Sequence, residues 1–231
     1  MKKLVFDTSS IISLATNDLL WVLKELKNKY NMQFYISEAV KEELIDRPMM
    51  GKLYKLEAIM IMSFIKDGVL NILDGKTAEK RDKLIYLANH VFRIRDEWLN
   101  IVHKGEMGAL ALASELNADA YIVDERTTRL LIENPKKLAK ILKNKLKASV
   151  GFNGKAFREF QKEIGKIKVI RSCDLMTVSF ENGLLDKYIE NENMKESLLD
   201  GLLWGLKLRG CSLSINEIDD IMRIEGFRKR F

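Results

Sequence analysis

Short apolar runs alternate along the chain with longer stretches in which apolar residues recur every three or four positions. The runs are four or five residues long, which is typical of buried strands, and the longer stretches have the spacing of amphipathic helices. The pattern predicts strands at Lys3–Phe6, Gln33–Ile36, Val69–Leu73, Ala120–Val123 and Ile167–Arg171. Short buried strands that alternate with helices predict an α/β fold, in which helices cover both faces of a parallel sheet.

The helical stretches have recognisable ends in two places. Ser37 is the predicted N-cap of the second helix, and Asn117 is predicted to close the fifth in a left-handed conformation. The predicted helices are Ser9–Leu26, Glu38–Ile45, Tyr54–Lys66, Ala78–Val102, Glu106–Leu116, Thr127–Glu133, Glu181–Ile189, Met194–Leu208 and Ile215–Ile224. The fourth of these is expected to be one long amphipathic helix with at most one break.

Composition removes several classes of protein. The 231 residues are 47% hydrophobic and 31% charged, as in ordinary globular proteins. No apolar run approaches the ~18 residues of a membrane span, so no membrane association is expected. Two cysteines, Cys173 and Cys211, make no disulfide framework, and the two histidines add no zinc-ligand spacing. With no recognisable export signal, the sequence predicts a protein of the reducing cytoplasm.

Positive charge is concentrated between Asn134 and Arg171, where twelve Lys or Arg residues face only two Glu residues. Clustered cations gain affinity for nucleic acid by displacing counterions from the phosphates, so this segment is a candidate RNA-binding surface. Its first candidate contacts are Lys136, Lys137, Lys140 and Lys143. A solvated helix face explains the same pattern, because the lysines follow helical spacing opposite an apolar stripe. Both interpretations stay open at this point.

Four acidic residues fall where a parallel sheet carries its active site. Asp7 and Asp124 directly follow predicted strands, Glu43 lies about two turns into a helix, and Glu106 opens the helix after Gly105. Each has a structural explanation as a helix cap, a dipole partner or a surface residue. Together they would repel one another unless a cation neutralised them, and all-oxygen ligation suits Mg²⁺ or Mn²⁺. Such an ion activates water for attack on a phosphodiester.

Four stretches resemble the motifs of the PIN-domain ribonucleases, in the order and roughly the spacing of that family. The stretches are Phe6–Ser10, Val40–Leu44, Gly105–Ala113 and Ala118–Arg126. The chain is most similar to prokaryotic, often archaeal, PIN proteins akin to the VapC toxins. The resemblance implies a three-layer α/β/α sandwich with a short parallel sheet, an Mg²⁺- or Mn²⁺-dependent ribonuclease and RNA as substrate. It also implies a homodimer and, if the chain is a toxin, an antitoxin protein as partner.

The resemblance also assigns the acids. It places the first on Asp7, with a hydroxyl partner at Thr8 or Ser9, and the second on Glu43. It places the third on Glu106. The fourth falls on Asp124, and family alignments also allow Glu125. These acids are the expected metal ligands, and the first four are the expected catalytic residues.

Beyond the motifs, the chain is longer than a minimal toxin of this kind. Residues 1–185 are expected to form the nuclease domain, with a basic insertion at about 134–166, and residues 186–231 to form a C-terminal helical extension. Arg126 and Arg129, just after the fourth acid, are candidates for holding a substrate phosphate, although surface pairing with Glu133 explains them equally well. The competing functional hypothesis is a non-catalytic RNA-binding or assembly module of the same fold.

Overall fold

A five-stranded parallel sheet forms the centre of the protein. We describe a computed structural model over residues 1–73, 77–191 and 194–228. Its strands are β1 (Lys2–Phe6), β2 (Met32–Ser37), β3 (Leu70–Leu73), β4 (Phe92–Ile94), β5 (Glu97–Trp98), β6 (Ala120–Ile122), β7 (Gly151–Phe152) and β8 (Val169–Ile170). The central sheet has the order β3-β2-β1-β6-β8, and β5-β4-β7 form a separate small antiparallel sheet.

Helices cover both faces of the central sheet, which confirms the predicted three-layer α/β/α sandwich with additional C-terminal helices. They are α1 (Thr8–Thr16), α2 (Leu20–Tyr30), α3 (Glu38–Lys41), α4 (Arg47–Met50), α5 (Lys55–Lys66), α6 (Thr77–Asn89), α7 (Lys104–Glu115), α8 (Arg126–Glu133), α9 (Pro135–Leu146), α10 (Gly154–Ile164), α11 (Ser172–Glu181), α12 (Met194–Leu208) and α13 (Ile215–Ile224). A π-helical turn, Glu42–Asp46, joins α3 to α4. Over the described ranges, no helix is long and apolar enough to cross a membrane.

The central pair of strands places two carboxyl ends side by side. Phe6 of β1 lies opposite Ile122 of β6, and both side chains are fully buried. The backbone N–H of Asp7 extends this pairing by donating to the Ile122 carbonyl at 2.9 Å. The residues that follow the two strands, Asp7 and Val123–Asp124, therefore meet at one edge of the sheet, where ligand sites of such sheets lie.

Three of the helix predictions need correction. The predicted helix Ser9–Leu26 is two helices, because Asp18 between α1 and α2 takes a left-handed conformation (φ 54°). The second half of Ala78–Val102 is not helical: Arg95, also left-handed (φ 53°), turns the chain between β4 and β5. The helix expected at Glu181–Ile189 is predicted too far along the chain. The observed helix, α11, ends at Glu181, the residue at which the predicted helix was to begin. Apolar spacing alone does not distinguish a short buried strand from a helical turn.

The C-terminal helices have the predicted bounds and are held to the rest of the chain by Arg171. Its guanidinium forms an ion pair with Asp174 at 3.1 Å and another with Glu217 of α13 at 2.8 Å. The same group donates to the Ser212 carbonyl at 3.2 Å. One nearly buried cation thus joins the start of α11 to the segment between α12 and α13.

Candidate acidic active site

Asp7 is the N-cap of α1 and is only 2% exposed. One of its oxygens, Oδ2, accepts hydrogen bonds from the backbone N–H of Ser9 at 3.2 Å and from the Ser9 hydroxyl at 2.7 Å. The other oxygen, Oδ1, is buried and has no hydrogen-bond partner in the described chain. A buried acceptor without a partner is costly, so this oxygen is available to a ligand.

Glu43 is brought to the same edge by the π-helical turn. Its Oε2 accepts a hydrogen bond from the Thr8 hydroxyl at 2.6 Å. π-Helical turns inserted into α-helices are frequent at functional sites, because the extra residue changes where the next side chain points. Gly105 makes room for this carboxylate, since a Cβ at that position would lie 2.7 Å from the Glu43 Cδ.

Glu106 stands in the first turn of α7, where the helix dipole favours a carboxylate. Its Oε2 accepts from the backbone N–H of His103 at 2.7 Å, which ties the side chain across the start of the helix. The backbone carbonyl of Glu106 accepts from the buried Tyr121 hydroxyl at 3.1 Å. α7 is thereby fixed to the central strand β6.

Two neighbouring acids follow β6 and have different surroundings. The carboxylate of Asp124 is fully buried and accepts from the Ser172 N–H at 2.7 Å and the Ser172 hydroxyl at 2.5 Å. Glu125 is the N-cap of α8, and its Oε2 accepts from the Thr128 N–H at 2.6 Å. Both oxygens of Asp124 are therefore engaged by the first residue of α11, whereas only one oxygen of Glu125 has a hydrogen-bond partner in the described chain.

These side chains line one cavity of about 520 Å³. Its acids are Asp7, Glu43, Glu106 and Glu125, joined by the hydroxyls of Thr8 and Ser9 and by Arg47, His103 and Lys104. Asp124 is not among the lining residues. Sequence reasoning did not assign the last three, although His103 and Lys104 directly precede the Gly105–Glu106 motif. Four carboxylates and two hydroxyls thus share one opening.

The carboxylates in this cavity act on one another electrostatically. Burial and, to a smaller extent, the negative charge of Glu106 raise the pKa of Asp7 from 3.8 to about 7, against the hydrogen bonds from Ser9, which lower it. Burial likewise raises the pKa of Glu106, to which the charges of Glu125 and Glu43 add. The cavity therefore holds more negative charge than the protein neutralises, which is the condition that favours a cation.

The side chains that line the acidic cavity offer the kind of ligand atoms that a divalent metal ion prefers. Carboxylate and hydroxyl oxygens are the ligand atoms that Mg²⁺ and Mn²⁺ prefer, and Oδ1 of Asp7 is a buried acceptor to which no group of the described residues donates. Each acid is held by a hydrogen bond of its own, and within the described ranges no three His, Cys, Asp or Glu side chains are grouped closely enough to hold one metal ion. The ligands would therefore have to move closer together on binding.

The predicted phosphate contacts separate into two groups. Arg126, Arg129 and Lys137 line a second cavity, next to the C-terminal helices. Lys136, Lys140 and Lys143 are exposed on α9 and line neither of these cavities. One lysine of the basic segment and both arginines therefore lie next to one another around the same cavity.

Comparison with known proteins identifies the first part of the chain. The family model DUF3368, whose description is PIN domain, matches residues 3–136, which is more than half of the sequence. Neither the curated proteins nor the solved structures gave a match. The matched range contains all four acids that line the cavity and ends at the start of α9.

Proposed function

Because the chain belongs to the PIN-domain family, whose members are generally nucleases, we propose that it is a metal-dependent endoribonuclease. The observation that carries this proposal is the joint lining of one cavity by Asp7, Glu43, Glu106 and Glu125. Mg²⁺ or Mn²⁺ bound there would neutralise the acids and supply an activated water for attack on an RNA phosphodiester.

The chain's own residues divide the remaining work. Asp7 offers its unpartnered Oδ1, and Ser9 fixes the other oxygen so that the free one keeps its direction. Thr8 holds Glu43 through the 2.6 Å hydrogen bond. Arg47 and Lys104 also line the cavity; each is paired with Glu42, and their remaining donors can meet the phosphate of a substrate.

The test is cleavage of a labelled single-stranded RNA with Mg²⁺ or Mn²⁺ and with EDTA. We expect cleavage only with the metal, and we expect Glu106→Gln to lower the rate at least ~100-fold because a ligand of the water-activating ion is lost. Glu115→Gln, at the other end of α7, is the matched control and should keep the wild-type rate. Cleavage in EDTA, or equal rates in both variants, would contradict the proposal.

The competing function, a non-catalytic RNA-binding or assembly module, predicts no metal uptake. Calorimetric titration with Mn²⁺ distinguishes the two. Binding that Glu106→Gln weakens supports the enzyme, whereas no uptake by the wild type supports the module. The cavity's excess of carboxylates over cations favours the enzyme.

The partners of the chain are part of the same proposal. Apolar side chains on α4, α5 and the turn between them are exposed, above all Met50 (82%), Leu53 (72%) and Leu56 (68%), which supports pairing of two copies through this face. We expect Leu53→Asp to give a monomer in sedimentation equilibrium.

The likeness to toxins supports an antitoxin partner, which should copurify with a tagged chain when the adjacent reading frame is co-expressed. The free, buried thiols of Cys173 and Cys211 suit a cytoplasmic protein.

A further inference from the structure

A second cavity, of about 580 Å³, lies between α8 and α9 on one side and the C-terminal segment on the other. Arg126, Arg129 and Lys137 line it from α8 and α9, and Lys207, Ser212 and Glu217 line it from α12, α13 and their connection. Four cations thus face one carboxylate. That carboxylate, on Glu217, is already engaged by Arg171 at 2.8 Å, so the cavity has unneutralised positive charge.

The cations of this cavity have hydrogen-bond capacity to spare. Neither Arg126 nor Lys137 has a side-chain hydrogen bond or ion pair within the described chain. Arg129 reaches Glu133 only at 3.4 Å, and among the described residues its buried Nε has no partner. The buried hydroxyl of Ser212 likewise has no partner in the part of the chain that the structure describes. Buried donors without acceptors are costly, and an anion in the cavity would accept from them.

The position of the two arginines in α8 adds to this argument. Arg126 and Arg129 are the first and fourth residues of the helix, where the helix dipole favours negative charge and disfavours cations. The N-cap, Glu125, offsets part of that cost, but its side chain also lines the acidic cavity. The two arginines lie in an unfavourable position, and one of them has no partner among the described residues, which indicates a ligand that stabilises them.

We propose that this cationic cavity binds consecutive backbone phosphates of the RNA strand that the acidic cavity cleaves. The consecutive residues Glu125 and Arg126 line the acidic and the cationic cavity respectively, so one strand can engage both. Arg and Lys are the side chains that hold phosphates, and such contacts position a strand without reading its bases. The inference deepens the proposed function and gives the C-terminal helices a role in it, because they supply one wall of the cavity.

The test measures RNA binding without cleavage. A fluorescein-labelled single-stranded 2′-O-methyl RNA is titrated in EDTA against the full chain carrying Glu106→Gln, at several salt concentrations, with anisotropy as the readout. Arg126→Gln and Arg129→Gln are then added to this variant. They should reduce the magnitude of the salt slope, which is the change of log affinity with log salt concentration, by about 1.4, since each phosphate contact on a single strand contributes about 0.7. Affinity should fall at least ~10-fold and equally for RNAs of different sequence.

Two further variants keep the result interpretable. Lys24→Gln with Lys66→Gln removes the same charge from exposed positions on α2 and α5 and should leave the slope unchanged. Lys137→Gln, at an exposed position on α9, should lower the slope by about 0.7 and cannot disturb the core. It therefore decides the question even if the double arginine variant fails to fold.

Each outcome has a definite reading. An unchanged slope in both the arginine pair and Lys137→Gln overturns the proposal, and so does an equal loss in the Lys24/Lys66 control, which would show only an effect of net charge. Calorimetry with pyrophosphate tests for a site that binds only small anions. The proposal is also overturned if the arginine substitutions abolish pyrophosphate binding but leave the salt slope of RNA binding unchanged. Because cleavage plays no part here, a lowered slope in a chain whose wild type never cleaves RNA would reject the nuclease but keep the phosphate site.

Discussion

Asp7 and Asp124 follow neighbouring strands of the same sheet, both are buried, and burial raises the pKa of each. Their hydrogen-bond partners differ. Asp124 has both oxygens bound by Ser172, whereas Asp7 has one oxygen bound by Ser9 and the other without a partner in the described chain. Two acids at neighbouring strand ends thus differ in the number of carboxylate oxygens that remain free for a ligand.

Ser9 connects the two acids. Its hydroxyl donates to Asp7 Oδ2 at 2.7 Å and accepts from the backbone N–H of Asp124 at 3.2 Å. Asp124 in turn anchors Ser172 at the start of α11. A buried structural junction therefore supports the acid that faces the cavity, as preorganised sites require.

The largest difference between the two acids should appear in Asp7→Asn. We expect metal-dependent cleavage of single-stranded RNA to fall at least ~100-fold, because the free oxygen offered to the ion is lost or replaced by an amide nitrogen. The melting temperature in EDTA should be unchanged or higher, because the substitution relieves carboxylate repulsion in the cavity. Activity that survives the substitution would remove Asp7 from the site.

The pH dependence of stability gives a second measurement on the same variant. In the folded, metal-free chain the pKa of Asp7 is raised from 3.8 to about 7, so between these values the folded state binds a proton that the unfolded state has released. The extra proton bound by Asp7 in the folded state stabilises that state. This stabilisation is complete below about pH 4 and is lost as the pH rises towards 7. Thermal unfolding in EDTA across this range should show a decline in the wild type that is smaller in Asp7→Asn. Parallel curves would contradict the raised pKa.

Asp124→Ala should instead lower stability. The substitution leaves the Ser172 N–H and hydroxyl without their acceptor in a buried position, which costs about 2–3 kcal/mol of the free energy of unfolding. The corresponding fall in melting temperature is about 4–12 °C for a chain of this size. Asp124→Asn keeps one acceptor oxygen and should lose less. Cleavage per folded molecule should stay close to wild type; a complete loss in a folded Asp124→Asn chain would restore Asp124 as a member of the site.

The choice between Asp124 and Glu125 marks what the sequence could and could not predict. The parallel sheet and the positions of Asp7, Glu43 and Glu106 followed from apolar spacing and motif order, because local pattern and sheet edge determine them. The fourth position depends on which of two adjacent side chains turns towards the cavity. That is decided by Ser172, 48 residues further along the chain, and no local pattern contains this contact.

The same limit explains the other corrections. The strand pair at Phe92–Trp98 was predicted as helix because its apolar residues suit either structure, and its strand partner Gly151–Phe152 lies far away in sequence. The cationic cavity escaped prediction because the C-terminal segment forms one of its walls. Lys137 was a candidate from the charge of its segment and Arg126 from its place just after the fourth acid, and only tertiary packing shows that they share a cavity.

Glu125→Gln examines the fourth position from the other side. A neutral amide still accepts from the Thr128 N–H and so keeps the cap of α8, but it withdraws a charge from the cavity. We expect Mn²⁺ affinity in calorimetry to weaken by about 10-fold, which corresponds to about 1.4 kcal/mol. Glu133→Gln, at the opposite end of the same helix, should leave the affinity unchanged. Equal affinities in the two variants would leave the site with three acids.

The smallest effect is expected at Glu42, the immediate neighbour of Glu43. Its carboxylate lies outside the cavity lining and bridges Lys104 at 2.9 Å and Arg47 at 3.1 Å, and those two cations lower its pKa, Lys104 more than Arg47. Exposed ion pairs contribute little, so Glu42→Gln should shift the melting temperature by no more than about 2 °C. Mn²⁺ affinity and the cleavage rate at saturating metal should match the wild type, whereas Glu43→Gln should lower both. If Glu42→Gln lowered both quantities as Glu43→Gln does, the helix would have to rotate in the metal-bound state by about 100°, the angle between successive residues. The π-helical turn would then not be the element that directs the second acid into the cavity.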